Sequence, residues 1–200
     1  MAVLASGQGT NLQALLDDPV VSPWIVLVVS DRGDAFALER ARARGVRAVV
    51  LDPAARADRK AYDVALRDLL EDEGIEYLAL AGFMRILGPE VVSAFSGRML
   101  NVHPALLPSF PGARAVADAL EWGVKVTGVT VHLVDEQVDH GPVVAQTAVE
   151  VRTDDDWDSL ESRIHQAEHR LFPSALRALV EGRLKVEGRI VHVLEEPAVG

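Results

Sequence analysis

Cysteine is absent from the 200-residue sequence, and basic residues are in the minority. Without cysteine the chain has no disulfide, no thiolate nucleophile and no zinc or iron–sulfur site built on cysteine. The 20 Lys and Arg residues face 30 Asp and Glu residues, which gives a formal net charge of −10. Proteins that wrap nucleic acid need clustered Lys and Arg, so we expect no nucleic-acid partner. A small anionic substrate needs only a local patch and is compatible with this charge.

Long apolar runs are also missing. No run reaches the roughly 18 residues that a membrane helix needs, so we expect no membrane association. The opening MAVLASG has neither the basic region nor the long apolar region of a signal peptide. We therefore expect a cytoplasmic protein. Because the first predicted strand begins at the chain's start, we also expect the native N-terminus to lie a residue or two earlier.

The first half of the chain alternates short apolar runs with stretches of helical spacing. The apolar runs are continuous, as in strands buried on both faces, and they lie at 2–5, 24–30, 47–51, 76–82 and 98–103. Helical spacing occupies 10–18, 33–44 and 58–73. Strand–helix–strand repetition predicts an α/β fold with a doubly wound, mostly parallel, Rossmann-like sheet.

The second half has a different pattern. Two β-rich segments, 125–134 and 142–151, flank the polar stretch DEQVDHGP, and a long helix is predicted at about 156–181. A terminal hairpin turns at Glu187-Gly188. These elements predict a mixed or antiparallel extension of the same sheet. The composition, 49% apolar and 25% charged, is ordinary for a globular protein, and we expect a single domain over 1–200.

A glycine-rich turn, Gly7-x-Gly9-Thr10-Asn11, joins the first predicted strand to the first helix. Glycine permits a tight turn, and a helix N-terminus presents free N–H groups to an anion. The third glycine of the dinucleotide fingerprint is missing, because Leu12 occupies its place. Taken alone, the turn either binds a phosphate or only connects two elements.

Asn101 and His103 end a predicted strand and are followed by a loop with three prolines. Their spacing places both side chains on one face at the carboxyl end of the strand, where open α/β sheets bind ligands. The histidine is either a satisfied core residue or an acid. A carboxylate from the polar loop, which contains Asp135, Glu136 and Asp139, would raise the pKa of His103 and favour the imidazolium if it lay nearby. Together these groups predict acyl-type transfer through a tetrahedral intermediate without a covalent nucleophile.

The segment HQAEH at 165–169 also fits an inverted zinc-peptidase pattern. Such a site needs a third ligand, and only 31 residues follow the motif. We therefore expect no metal here or elsewhere in the chain.

Five motifs follow one another in order over nearly the whole chain: LASGQGTNLQAL, LAGFMRILG, NVHPALLPSFPG, VTGVTVHLVDEQVDHGPVVAQ and AEHRLFP. Together they resemble the folate-dependent glycinamide ribonucleotide transformylase family. The resemblance implies transfer of the formyl group of 10-formyltetrahydrofolate to glycinamide ribonucleotide in purine biosynthesis, with the folate as co-substrate. It also implies a ribotide-phosphate half at 1–100 and a catalytic and folate half at 101–200.

The resemblance assigns roles to individual residues. Asn101, His103 and Asp139 match the catalytic trio. The ribotide-binding positions are Gly9, Thr10, Asn11 and Glu168. The folate-binding positions are Arg59, Met84, Arg85, Ile86, Leu87, Asn101, Asp135, Glu136, Gln137 and Val138. The family's loop also implies a cis bond at Leu107-Pro108.

The chain departs from the family pattern at Arg114 and Val116, where many relatives have a nearby histidine, and at His140, where small residues are common. Other folate-dependent formyl transferases and formyltetrahydrofolate hydrolases share the catalytic trio, so they are the alternatives. Methionyl-tRNA formyltransferases carry an extra domain and bind tRNA, which this short acidic chain does not suit. A non-catalytic nucleotide-binding module would explain the sheet but not the convergence of the trio. The oligomeric state stays open, with a homodimer among the alternatives.

Overall fold

A nine-stranded sheet runs through residues 1–195, the part of the chain that this computed structural model describes. Its strands are β1 Ala2–Leu4, β2 Leu27–Ser30, β3 Arg47–Val50, β4 Leu78–Leu80, β5 Met99–His103, β6 Val126–Leu133, β7 Val143–Glu150, β8 Leu184–Glu187 and β9 Ile190–Val193. They lie in the order β3-β2-β1-β4-β5-β6-β7-β9-β8. The sheet therefore continues without a break from the first half of the chain into the second.

Strand direction changes at β5. Strands β1 to β5 pair in parallel, whereas β6 is antiparallel to both β5 and β7. The terminal hairpin is joined through a parallel pairing of β9 with β7. Because β1, β4 and β5 are parallel neighbours, their carboxyl ends meet at one edge of the sheet. This arrangement confirms the predicted mostly parallel sheet with an antiparallel extension.

Helices cover both faces of the sheet. They are α1 Thr10–Asp17, α2 Phe36–Ala43, α3 Arg59–Asp72, α4 Pro89–Ala94, α5 Ala115–Glu121 and α6 Trp157–Val180. Four of them match predicted helices to within about three residues at each end, and α4 and α5 were not predicted. Both are short, at six and seven residues, so neither shows enough turns for a helical period in the sequence.

Two apolar cores follow from this layering. Alternate residues of β1 enter opposite cores: Val3 packs with α1, α2 and α6, whereas Ala2 and Leu4 pack with α3 and α4. All three are fully buried, which explains why the strand reads as a continuous apolar run rather than as an alternating one. Helices therefore pack on both faces of the sheet, and the rigid sheet positions the loops at its carboxyl edge.

Residues 1–195 contain no helix that is both long enough and apolar enough to span a membrane.

Candidate active site

The candidate catalytic residues of β5 lie where the sheet changes from parallel to antiparallel. Asn101 is half-buried and His103 is 4% exposed. The neighbouring strand β6 places His132 opposite Asn101 and Thr130 opposite His103. Both members of the predicted pair therefore project from a rigid strand rather than from a loop.

Asp139 reaches this pair from the loop between β6 and β7. It has a left-handed backbone, with φ of 51°, which is uncommon for a residue other than glycine. One carboxylate oxygen, Oδ2, accepts a 2.7 Å hydrogen bond from the Gly112 N–H and lies 3.4 Å from His103 Nδ1. The other, Oδ1, lies 3.4 Å from Asn101 Nδ2. The structure thus brings the three residues of the predicted trio into contact.

The surroundings of His103 have opposing effects on its pKa. Burial has the largest effect and lowers the pKa below its ordinary value. The charge of Asp139 and the Phe110 carbonyl, 2.8 Å from His103 Nε2, act to raise it. The expected effect of the carboxylate is present, but the net shift is downward because desolvation of the imidazolium outweighs it. The neutral ring carries its hydrogen on Nε2, since a carbonyl can only accept.

The pKa of Asp139 is lowered, although burial acts to raise the pKa of a carboxyl group. Burial alone would raise it, but the contact with His132, the hydrogen bond from the Gly112 N–H and the proximity of His103 together hold it below its ordinary value. The carboxylate is therefore the charged partner in this cluster at neutral pH.

His132 is a member of the cluster that the sequence did not indicate. It is 2% exposed, and its Nδ1 lies 2.9 Å from the Leu133 carbonyl, to which it donates. Its Nε2 is 3.1 Å from Asn101 Nδ2 and 3.7 Å from Asp139 Oδ1. With its hydrogen on Nδ1, His132 accepts from the Asn101 amide at Nε2 and orients that amide. The available signal was its place in β6, but only the register between β5 and β6 puts it opposite Asn101.

The proline loop after β5 is held by more than its prolines. The Leu107-Pro108 bond is cis, as the family resemblance implied. Leu107 N–H donates to Thr130 Oγ1 at 3.0 Å, and the Leu107 carbonyl accepts from Gln146 Nε2 at 2.9 Å. Thr130 Oγ1 in turn donates to the Ala105 carbonyl at 2.6 Å. Side chains of β6 and β7 thus hold the loop in one shape beside His103.

An apolar cavity of about 340 Å³ opens beside the trio. The predicted segments 84–87 and 135–139 both line it, together with Asn101, His103 and His132. Met84, Ile86 and Val138 are 70%, 57% and 48% exposed, so the cavity presents apolar side chains to solvent. Such a surface suits a flat apolar ligand. Residues of both halves of the chain build this cavity.

Two predicted folate-side arginines are held by protein groups. Arg59 is not among the residues lining the cavity, and its guanidinium donates to the carbonyls of Ile86 and Leu87 at 3.0 and 3.3 Å. Arg85 does line the cavity, and its guanidinium carbon sits 4.7 Å from the centre of the Tyr62 ring. Arg59 therefore supports the wall segment from behind, and its contact with folate stays a prediction.

The glycine-rich turn follows β1 at the same edge of the sheet. Gly9 caps α1 with a φ of 68°, and a Cβ there would lie 2.8 Å from the Cα of Ala37. Only glycine fits this backbone and this close approach. The first turn of α1, beginning at Thr10, leaves N–H groups without intrahelical partners, as an anion site requires.

Glu168 of α6 joins this turn. It is 4% exposed, and its Oε2 accepts a 2.8 Å hydrogen bond from Asn11 Nδ2. Burial raises the pKa of Glu168 above its ordinary value, while the Asn11 bond acts against the rise. Asn11 Oδ1 is buried and has no hydrogen-bond partner among residues 1–195. The residues predicted for the ribotide thus form a second polar group outside the apolar cavity.

The zinc-like segment takes a different arrangement. The rings of His165 and His169 stack with centroids 6.0 Å apart, while Glu168 turns towards Asn11. Within the described part of the chain, no group of three or more His, Cys, Asp or Glu could hold a metal ion.

Comparison with known proteins gives a consistent result. The family model described as formyl transferase matches residues 1–176. The chain is 43% identical to the phosphoribosylglycinamide formyltransferase of Mycobacterium tuberculosis, over 100% of this chain and 94% of the relative. It is 39% identical to the Bacillus subtilis protein of the same name, over 90% and 93%.

A longer relative and a solved structure extend this comparison. The chain is 43% identical to the trifunctional purine biosynthetic protein adenosine-3 of Bos taurus, with 98% of this chain covered but only 20% of that protein's length. Among solved structures, glycinamide ribonucleotide transformylase 1 from Symbiobacterium toebii superposes with a TM-score of 0.94 at 48% identity, covering 97% of this chain and 93% of that one.

Proposed function

Because the chain belongs to the formyl transferase family, we propose that it transfers the formyl group of 10-formyltetrahydrofolate to the amine of N1-(5-phosphoribosyl)glycinamide. The products are formylglycinamide ribonucleotide and tetrahydrofolate, and the reaction belongs to de novo purine biosynthesis. One observation carries the proposal: Asn101, His103 and Asp139 converge at the wall of an apolar cavity. The names of the single-function relatives point to the same acceptor.

The donor's pterin ring occupies the apolar cavity. Segments 84–87 and 135–139 supply its walls, and peptide N–H and C=O groups there offer hydrogen bonds to the ring edge. This position brings the formyl group attached to N10 next to Asn101 and His103.

The acceptor ribotide binds at the glycine-rich turn. Its phosphate takes the free N–H groups of the first turn of α1, beside Gly9 and Thr10. Glu168 accepts from a ribose hydroxyl. The 2.8 Å hydrogen bond from Asn11 Nδ2 to Glu168 supports this assignment, because it places the carboxylate of α6 beside the turn that takes the phosphate.

The amine attacks the formyl carbon, and the carbonyl oxygen becomes an oxyanion. The Asn101 amide and protonated His103 stabilise this charge. The weak 3.4 Å contact between Asn101 Nδ2 and Asp139 is the one that yields to the oxyanion, while His132 keeps the amide oriented. The bond between the formyl carbon and N10 then breaks. N10 gains one proton and the attacking amine loses one, with His103 and Asp139 relaying them.

The deciding assay mixes both substrates with the protein and follows release of tetrahydrofolate. We expect release that depends on the ribotide. Release that proceeds equally without the ribotide would identify a hydrolase, and no release would refute the transferase. As a second test, His103→Ala should reduce kcat by roughly 10²-fold or more, as expected for loss of a general acid.

Two further expectations accompany this function. We expect the protein to work in the cytoplasm on small-molecule substrates. Sedimentation in solution would show whether it forms a homodimer.

A further inference from the structure

The terminal hairpin β8–β9 contacts the active-site loop, defined here as residues 135–141. We propose that Arg189, in the turn of this hairpin, is a positioning residue that holds the active-site loop and thereby sets the place of the Asp139 carboxylate. The inference rests on the proposed function for its kinetic readout and on the structure alone for its loop readout.

Arg189 makes two contacts with one residue of the loop. Its Nη2 donates to the His140 carbonyl at 2.6 Å, and its Nη1 lies 3.4 Å from His140 Nε2. A guanidinium presents its donors in a rigid fork, so the two contacts together define the position of both the backbone and the ring. A bond from a charged donor to a backbone carbonyl is stronger than one between neutral groups.

The ring of His140 also contacts Asp135 at the start of the loop. Its Nδ1 lies 2.7 Å from Asp135 Oδ2, and Asp135 Oδ1 accepts from the Gln137 N–H at 3.0 Å. Since a carboxylate only accepts, Nδ1 carries the hydrogen, which leaves Nε2 of the neutral ring as the acceptor for Arg189. Asp135, His140 and Arg189 thus form one chain of hydrogen bonds from the loop to the hairpin.

Asp139 and His140 are consecutive, and they are held from opposite sides. Asp139 bonds inward to Gly112 and the catalytic cluster, while His140 bonds outward to the hairpin. Just beyond them, Gly141 packs so closely on the Leu133 carbonyl that an added Cβ would overlap its oxygen. The carboxylate therefore lies between two fixed points, and one of them is Arg189.

The hairpin is otherwise thinly attached at this end. β9 pairs with β7 at a single register position, Val143↔Ile190, next to Arg189. The hairpin also lies outside the 1–176 segment that the family model matches. A brace supplied from this segment would be a property of this chain and its near relatives rather than of the family's common catalytic core.

The test compares Arg189→Ala with Lys185→Ala. The Lys185→Ala substitution also removes one positive charge from the hairpin. Lys185, however, forms its ion pair with Glu187 of the same strand, β8, at 2.7 Å. For Arg189→Ala we expect kcat/KM for the formyl donor to fall about 3- to 10-fold, the range for loss of an exposed charge-assisted hydrogen bond. The KM for the ribotide should stay within about 2-fold, because its site is elsewhere. Lys185→Ala should match the wild type.

Hydrogen exchange supplies the second readout. Amides of 136–141 should exchange faster in Arg189→Ala than in Lys185→Ala, while those of β5 stay protected. Equal exchange in the two variants, or equal loss of donor kcat/KM, would overturn the inference. If the wild type shows no turnover, the proposed function fails, yet the exchange result still decides the role of Arg189. Should Arg189→Ala fail to fold, Arg189→Met keeps the aliphatic stem and removes the donors.

Discussion

Replacement of Asp139 by asparagine tests the catalytic cluster most sharply, because it removes a charge with little change in shape. The amide oxygen can take the place of Oδ2 and still accept from the Gly112 N–H, which lies 2.7 Å away. The amide nitrogen then takes the place of Oδ1, where it faces His132 Nε2 and loses only the weak 3.4 Å contact with Asn101. We therefore expect Asp139→Asn to fold normally.

The magnitude follows from the 3.4 Å separation of His103 Nδ1 and Asp139 Oδ2. Two unit charges at that distance attract by about 5 kcal/mol when the effective dielectric constant is about 20. If roughly half of this attraction acts in the transition state, kcat should fall about 10²-fold, since each 1.36 kcal/mol is a factor of ten. The buried position of both groups leaves little solvent screening.

The direction in which the pH profile of activity shifts gives an independent test of the same role. Under the proposed mechanism activity requires protonated His103, so kcat/KM should fall as pH rises through the pKa of His103. Asp139 acts to raise that pKa, and its neutralisation should move the descending limb to lower pH. Steady-state tetrahydrofolate release across the pH range measures both effects, with Asp68→Asn on the exposed face of α3 as the matched control. A rate within about 10-fold of the wild type, or a limb that moves upward, would refute this role.

Two more changes probe the proposed ribotide site. Gly9→Ala combines a φ of 68° with a Cβ only 2.8 Å from Ala37, so we expect the free energy of unfolding, measured in urea, to fall by about 1–3 kcal/mol and the ribotide KM to rise. Gly7→Ala, whose Cβ would meet nothing within 4 Å, is the control. Equal stability of the two variants would contradict the expectation. Glu168→Gln should flatten the pH dependence of stability. The pKa of Glu168 is higher in the folded protein than in the unfolded chain, where it is about 4.5, so protonated Glu168 contributes its full stabilisation only below that pH. The contribution is lost as pH rises through the pKa of the folded state. Thermal melts should show the variant gaining on the wild type as pH rises; a constant difference would show that Glu168 does not titrate this way.

The fold was largely predictable because its strands are short, apolar and regularly interrupted. The boundaries were less so: the predicted strand at 24–30 begins only at Leu27, since Ser22–Trp24 forms a turn of 3₁₀ helix around Pro23. The local pattern marks apolarity, but a proline within a tight turn ends strand pairing.

The site was predictable in part. Asn101 and His103 share a strand, so their proximity follows from a period of two, whereas the place of Asp139 came only through family resemblance. His132 could not be found this way, because a cross-strand neighbour depends on register, which no short segment of sequence specifies. The pKa of His103 was misjudged for a similar reason: charge partners can be proposed from sequence, but the depth of burial is a property of the packed molecule.

The hydrogen bond from the Gly112 N–H to Asp139 has a consequence for fidelity. It ties the proline loop to the active-site loop, and both loops line the cavity. Any movement that parts these loops also takes the carboxylate away from His103, since the two groups are only 3.4 Å apart when the loops are joined. With the loops parted, the imidazole would lack the partner that favours its charge, and under the proposed function the site would not spend a formyl donor on water. A single hydrogen bond would in this way make catalytic competence conditional on contact between the two loops.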